Sequence, residues 1–343
     1  MFALLLASCG GGGGGSSPAN SSMPSPSVTP NQVAVTVAQD PAIALFPTAN
    51  LPYVSVTLCD NAGLCQTIDH IVLDTGSYGL RVLSSAITNL NLPATTSAGV
   101  GTLGECATFL GGFMWGGIHN ATIKIAGETA SNVLIELLGD PGLPGAPLAC
   151  QGIGGTDIGN LLGIGGNGIL GVGQFVEDQG SYYTCIGGPT GTCISTMIPP
   201  PNEVSNPVAF FSTDNNGIIL QMPAISNTGQ VSATGTLTFG IDTQSNNSVA
   251  GYQILPADSL GNFTATIAGQ IYPQSFIDSG SDFNFITLSG YNTNGKGDYA
   301  PSAYTLLRGT LTPNSGLSGT PVPIQFGMID TNTLNFFSFT AFN

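Results

Sequence analysis

The sequence predicts an all-β protein of two related lobes meeting at a cleft, and three observations carry that prediction. Short runs with alternating or continuous apolar character recur between turn residues: VAVTVA from 33, YVSVTL from 53, TIKIAG from 122, NVLIELL from 132, GTLTFGI from 235 and FTATIAG from 263. Turn formers are abundant, with 49 Gly and 23 Pro, and only SSAITNL, after the first of the two Asp motifs below, suggests a short helix. Finally, one long pattern occurs twice: YVSVTLCDNAGLCQTIDHIVLDTGS and FTATIAGQIYPQSFIDSGS each run strand, turn, strand, Asp, hydroxyl residue, Gly, Ser. The repeat assigns one carboxylate, Asp74 or Asp278, to each lobe.

Composition bounds the function. A 343-residue chain with 42% hydrophobic residues can bury a substantial core. Only 7% of residues are charged, as in turn-rich exported β proteins. Four basic residues against 19 acidic ones give a net charge of −15, which repels phosphate backbones and argues against nucleic-acid binding. With two histidines, His70 and His119, and no close-spaced Cys/His cluster, neither a metal nor a cofactor is expected.

The organisation along the chain follows composition. Residues 1–9, MFALLLASC, resemble the end of a bacterial lipoprotein signal, with Cys9 as the lipidated first mature residue. Signal peptides carry a basic region and run longer, so translation is expected to start upstream. Residues 10–32 are rich in Gly, Ser and Pro and form a flexible tether with a reach of roughly 25 Å. No later segment has the apolar length of a membrane helix. The expectation is an exported, membrane-anchored bacterial lipoprotein on the periplasmic or cell-surface side, its lipid anchor holding a monomeric folded part. That part divides into a first lobe at 33–230, with a flap and insertions, and a second at 231–343.

The six cysteines that remain point to disulfides in an oxidising compartment. Cys59 and Cys65 flank one short turn and Cys185 and Cys193 another, leaving Cys106 to pair with Cys150 across a longer insertion. About fifteen connectivities are formally open to six cysteines, so this set is a preference.

Each Asp motif ends an apolar strand on a carboxylate. Gly76 and Gly280 permit a tight turn, while Thr75, Ser77, Ser279 and Ser281 offer hydroxyls to the carboxylates. Two such loops face to face would bring the carboxylates to about 3 Å, where like charges cannot both ionise freely; at an effective dielectric of about 20 they repel by roughly 5 kcal/mol. The pair then retains one proton and can act as both acid and base on a bound water.

With these motifs in view, the chain from about residue 33 resembles the pepsin-like aspartic proteases, and is most similar to a bacterial, lipoprotein-like branch of them. NGILGVG at 167–173 is similar to the element that threads behind the first catalytic loop of that family, and GTLTFGID at 235–242 to the strand opening its second lobe. The resemblance implies a bilobal aspartic endopeptidase with Asp74 and Asp278 catalytic, Thr75, Gly76, Ser77, Ser279, Gly280 and Ser281 supporting them, and an extended peptide or unfolded protein as substrate. It also implies a mobile flap, FLGGFMWGGI at 109–118, with Phe109 in place of the family's tyrosine and Trp115 either donating to the cleft or anchoring the hairpin. Arg81 stands where the family carries tryptophan and is expected to reach solvent; Asp282, beside the second motif, is expected to face outward. The stretch from Asp74 to Gly171 exceeds everything after Asp278, so the second lobe looks incomplete unless VPIQFG at 322–327 is its counterpart. The competing functions are an inert binding module on the same fold and a structural surface lipoprotein.

Overall fold

The computed structural model describes residues 4–5, 30–43, 48–97, 99–334 and 340–341. Cys9 and most of the 10–32 tether lie outside the described residues. No helix among those described is long and apolar enough to cross a membrane.

The chain is all-β, and its described residues form two sheets, one of fourteen strands and one of four. At the centre of the large sheet, the strand Gly168–Val172 lies parallel to Cys65–Asp74 on one side and antiparallel to Tyr78–Leu83 on the other. All three are buried on both faces over their shared length, which is why HIVLD, GLRVL and GILGV read as near-continuous rather than alternating apolar runs. Their side chains join the main core, with Ile71, Leu73, Leu80 and Leu170 packed among Leu58, Ile123, Ile135 and Phe239. The smaller sheet, ordered Gln270–Ser275, Phe263–Ile267, Thr305–Thr312, Val322–Met328, has its own core around Phe263, Ile267, Leu307 and Leu311. Phe263–Ile267 alternates buried and half-buried positions, the mark of a strand with one face inward.

Both sequence repeats fold as antiparallel hairpins, Pro52–Cys59 with Cys65–Asp74 and Phe263–Ile267 with Gln270–Ser275. The division expected at 231 moves. Ala233–Phe239 lies between Gln32–Val37 and Ile218–Gln221, antiparallel to both, and buries Leu237 and Phe239 in the main core. Periodicity identified the strand but could not say which sheet it joins; the second sheet begins at Phe263.

Val322–Met328 is not a counterpart of GILGV. Its ladder runs to Thr305–Thr312, its residues are largely half-exposed, and no described strand threads behind the Asp278 loop. All three preferred disulfides form: Cys59–Cys65, Cys106–Cys150 and Cys185–Cys193.

Candidate active site

Leu73 is fully buried, and the chain leaves that position through Asp74 into a loop that must turn at once to re-enter the core at Leu80. The strand Gly168–Val172 reinforces the turn from behind. Gly171 pairs with Asp74 on one neighbour and with Gly79 on the other, and a Cβ there would stand 2.5 Å from the backbone nitrogen of Tyr78. Only glycine admits so close an approach. Gly173 N then donates to Ser77 O at 2.9 Å.

Within the loop, Asp74 Oδ1 accepts from Gly76 N at 2.7 Å and Oδ2 from Ser77 Oγ at 2.5 Å. The second loop repeats the pattern: Asp278 Oδ1 accepts from Gly280 N at 2.9 Å and Oδ2 from Ser281 Oγ at 2.6 Å. Each carboxylate is therefore aimed by the residues two and three positions later in its own chain.

The two loops are also bonded to each other. Thr75 N donates to Ser279 Oγ at 3.1 Å and Ser279 N to Thr75 Oγ1 at 3.0 Å, while each hydroxyl donates onward, Thr75 Oγ1 to Ile277 O at 3.0 Å and Ser279 Oγ to Leu73 O at 2.7 Å. Every donor and acceptor of the two hydroxyls faces the opposite loop, so neither loop holds its shape alone. Replacing Thr75 by Val or Ser279 by Ala should each cost about 1–3 kcal/mol, since backbone groups lose their partners. Urea titration of the double variant should show less than the sum, with a coupling of about 0.5–3 kcal/mol; additive losses would mean that the loops do not depend on one another.

This cross-bonding brings the carboxyls together. A Cβ on Gly76 would lie 2.7 Å from Asp278 Cγ, and one on Gly280 2.7 Å from Asp74 Cγ, so each glycine makes room for the other loop's acid. Asp74 thus stands against the Gly280 turn and Asp278 against the Gly76 turn. Burial, then the charge of Asp278 and the hydrogen bond to it, raise the Asp74 pKa to about 7 against the opposing bonds from Ser77 and Gly76.

Other expected site residues fall differently. The hairpin of Gly101–Phe109 and Gly112–Ile125 turns at Leu110 and Gly111, with Leu110 83% exposed. Its flank is strapped rather than mobile: Phe113 N donates to Thr156 O, Ile158 N donates to Phe113 O, both at 2.9 Å, and Cys106 is tied to Cys150. Trp115 is no cleft donor. It is buried, its Nε1 donates to Pro144 O at 2.9 Å, and its ring meets Tyr183 edge-on. Phe109 packs over the Arg81 guanidinium, 5.7 Å from ring centre to Cζ. Asp282 is exposed at the rim of a groove of about 450 Å³ that runs past Asp278 and Ser281 to Phe283, Leu307 and Met328.

Arg81 corrects the expectation most sharply. It is 2% exposed and holds Glu105, Glu136 and Asp178 at 2.6, 2.9 and 2.5 Å. Burial opposes its charge, yet the three carboxylates keep it protonated. None of these partners lies near Arg81 in the sequence. The available signal was single acids inside apolar strands, GECATF and LIELL, in a chain with four basic residues. His119 is likewise structural, its ring nitrogens held by Leu92 O and Asp140 Oδ2. Among the described residues no group of acids, histidines and cysteines is arranged to hold a metal.

Two converging loops, each with its carboxyl against the other's glycine, define a candidate acid–base centre. A family model described as a protein of unknown function, DUF3443, matches residues 27–343, and the chain belongs to that family. No curated protein matches the sequence. Among solved structures, the aspartic proteinase from Irpex lacteus is 16% identical, with a TM-score of 0.44 over 85% of this chain and 77% of that one.

Proposed function

We propose that the chain is an aspartic endopeptidase in which Asp74 and Asp278 activate water against a peptide bond. The observation that carries this is the convergence of the two carboxyls, each packed against the opposite loop's glycine, with burial and the charge of Asp278 raising Asp74 to about 7. In the ionised–protonated pair, the carboxylate takes a proton from water as its oxygen attacks the carbonyl carbon, and the carboxylic acid donates to the carbonyl oxygen. Collapse of the tetrahedral species returns one proton to the pair and delivers the other to the leaving nitrogen, so the dyad ends as it began. Ser77 and Ser281, with the Gly76 and Gly280 amides, hold the oxygens in place without competing for the proton. The substrate is an extended peptide laid along the cleft.

The wider setting belongs to the same proposal: export, lipidation at Cys9, and a tether that carries the enzyme on a membrane as a monomer. The purified folded part should cleave an unfolded protein in acid and stop on addition of a statine-type inhibitor. Absence of cleavage with the fold intact would contradict the proposal. A non-catalytic peptide-binding module is the second reading. It is favoured by the lack of a cleft-facing donor from the hairpin, because Phe109 has no hydroxyl and the Trp115 Nε1 is committed to Pro144. It predicts peptide binding without turnover.

A further inference from the structure

Arg81 is enclosed by three carboxyl groups, more acids than one guanidinium can pair in ionised form. Glu105 comes from the strand Gly101–Phe109, Glu136 from Glu128–Leu138 and Asp178 from the loop after Val172; the two glutamates are wholly buried and Asp178 is 4% exposed at its side chain. The guanidinium also donates from Nη1 to Tyr78 O at 2.7 Å. A cavity of about 140 Å³ adjoins the cluster, lined by Tyr78, Arg81, Glu105, Thr108, Phe109 and Asp178. Glu105 lines it while 0% exposed, and its Oε2 has no hydrogen-bond partner. Tyr78 directly follows Ser77, so the cavity stands beside the Asp74 loop.

We propose that this cavity is a subsite for a cationic side chain, lysine or arginine, of a bound peptide, with Glu105 and Asp178 as its specificity-determining carboxylates. The peptide ligand rests on the endopeptidase reading; the charge selectivity rests on the cavity. An apolar side chain would leave Glu105 Oε2 unpaired away from water, a loss of about 1–3 kcal/mol. An anion would meet three carboxylates and a guanidinium already engaged. An ammonium or guanidinium supplies the missing donor, and its charge takes the place of a glutamic-acid proton.

The proton balance follows. Burial, opposed by Arg81 and reinforced by Asp178 and Glu136, raises Glu105, and burial raises Glu136 to about 8 despite Arg81. The groups facing this cluster are Arg81, Asp178 and Asp157, with the Tyr182 hydroxyl donating to Asp178 Oδ1 at 2.8 Å. An incoming cation displaces a proton from a glutamic acid, so binding releases a proton and the preference for a basic side chain grows as pH rises.

The test is calorimetric titration of the Asp74→Asn chain with a peptide set in which each position in turn is lysine or norleucine. The expected result is one position at which lysine binds about tenfold or more tightly, a difference of roughly 1.4 kcal/mol, with proton release read from the heat in two buffers. Both signals should disappear in Glu105→Gln. Asp178→Asn and the buffer comparison on the unaltered pocket keep the test decisive if Glu105→Gln does not fold. Equal or better binding of norleucine at every position, no proton release, or no peptide bound at all overturns the subsite. Turnover is scored separately on the unsubstituted chain: cleavage without lysine preference removes the subsite alone, whereas lysine-selective binding without cleavage removes the endopeptidase alone.

Discussion

Asp278→Asn is expected to lower kcat/KM for peptide hydrolysis by about a thousandfold or more, within the range that positioned acid–base groups contribute. Asparagine can still accept from Gly280 N or Ser281 Oγ, but it can neither take a proton from water nor share one with Asp74. The fold should survive. Removing one of two crowded acids relieves like-charge repulsion, so the thermal midpoint at neutral pH should hold or rise. The pH profile carries a second signature. The active form has one proton on the pair, and Asp74 is raised to about 7, so activity in the unsubstituted enzyme should fall as pH rises through about 7. A variant that kept its activity, or a wild-type rate that climbed steadily through neutrality, would remove the shared-proton mechanism.

Arg81→Met should be the most destabilising single change outside the hydrophobic core. It leaves Glu105, Glu136 and Asp178 buried without their cation, and stranding buried charge typically costs about 3–5 kcal/mol. The loss should depend on pH in a definite direction. Glu136 is raised from 4.5 to about 8 in the fold, so the folded chain holds a proton that the unfolded chain has released between those values. Its contribution to stability is therefore complete below pH 4.5 and is lost as pH rises through about 8, at up to about 1.4 kcal/mol per pH unit. Below 4.5 the variant's acids are protonated and the penalty shrinks; it grows as pH rises and they ionise. Chemical denaturation of both proteins across that range measures it, and equal losses at both ends would contradict the account.

The parts of this site that depend on local chemistry were legible in the sequence. HIVLDTGSYGL and QSFIDSGSDF announce strands or hairpins that end on a carboxylate, and both carboxylates sit where those loops turn. NGILGVG threads behind the Asp74 loop because a strand buried on both faces needs a continuous apolar run, and Gly171 because its neighbour comes too close for a Cβ. The reciprocal Thr75–Ser279 bonds could only be inferred as support, since their partners are two sheets apart in sequence. Arg81 was misjudged because a lone cation in a strand is usually explained by solvent, and its three carboxylates are 24, 55 and 97 positions away. Trp115 presented two options, and packing against Tyr183 and Leu143 decided between them. The short helix Leu148–Gly154 carried no periodic signal; it is held by Cys150 in a buried cluster with Cys106 and Trp115 rather than by its own propensity.

The central claim is that two acids from different sheets share one proton. Carbon-13 carboxyl NMR on aspartate-labelled protein, titrated through the acid and neutral range, tests it most directly. The account predicts one aspartate resonance with a midpoint near 7 that moves down when Asp278 is replaced by asparagine. All aspartates titrating in the ordinary carboxylate range, with no response at Asp74 to that substitution, would contradict it.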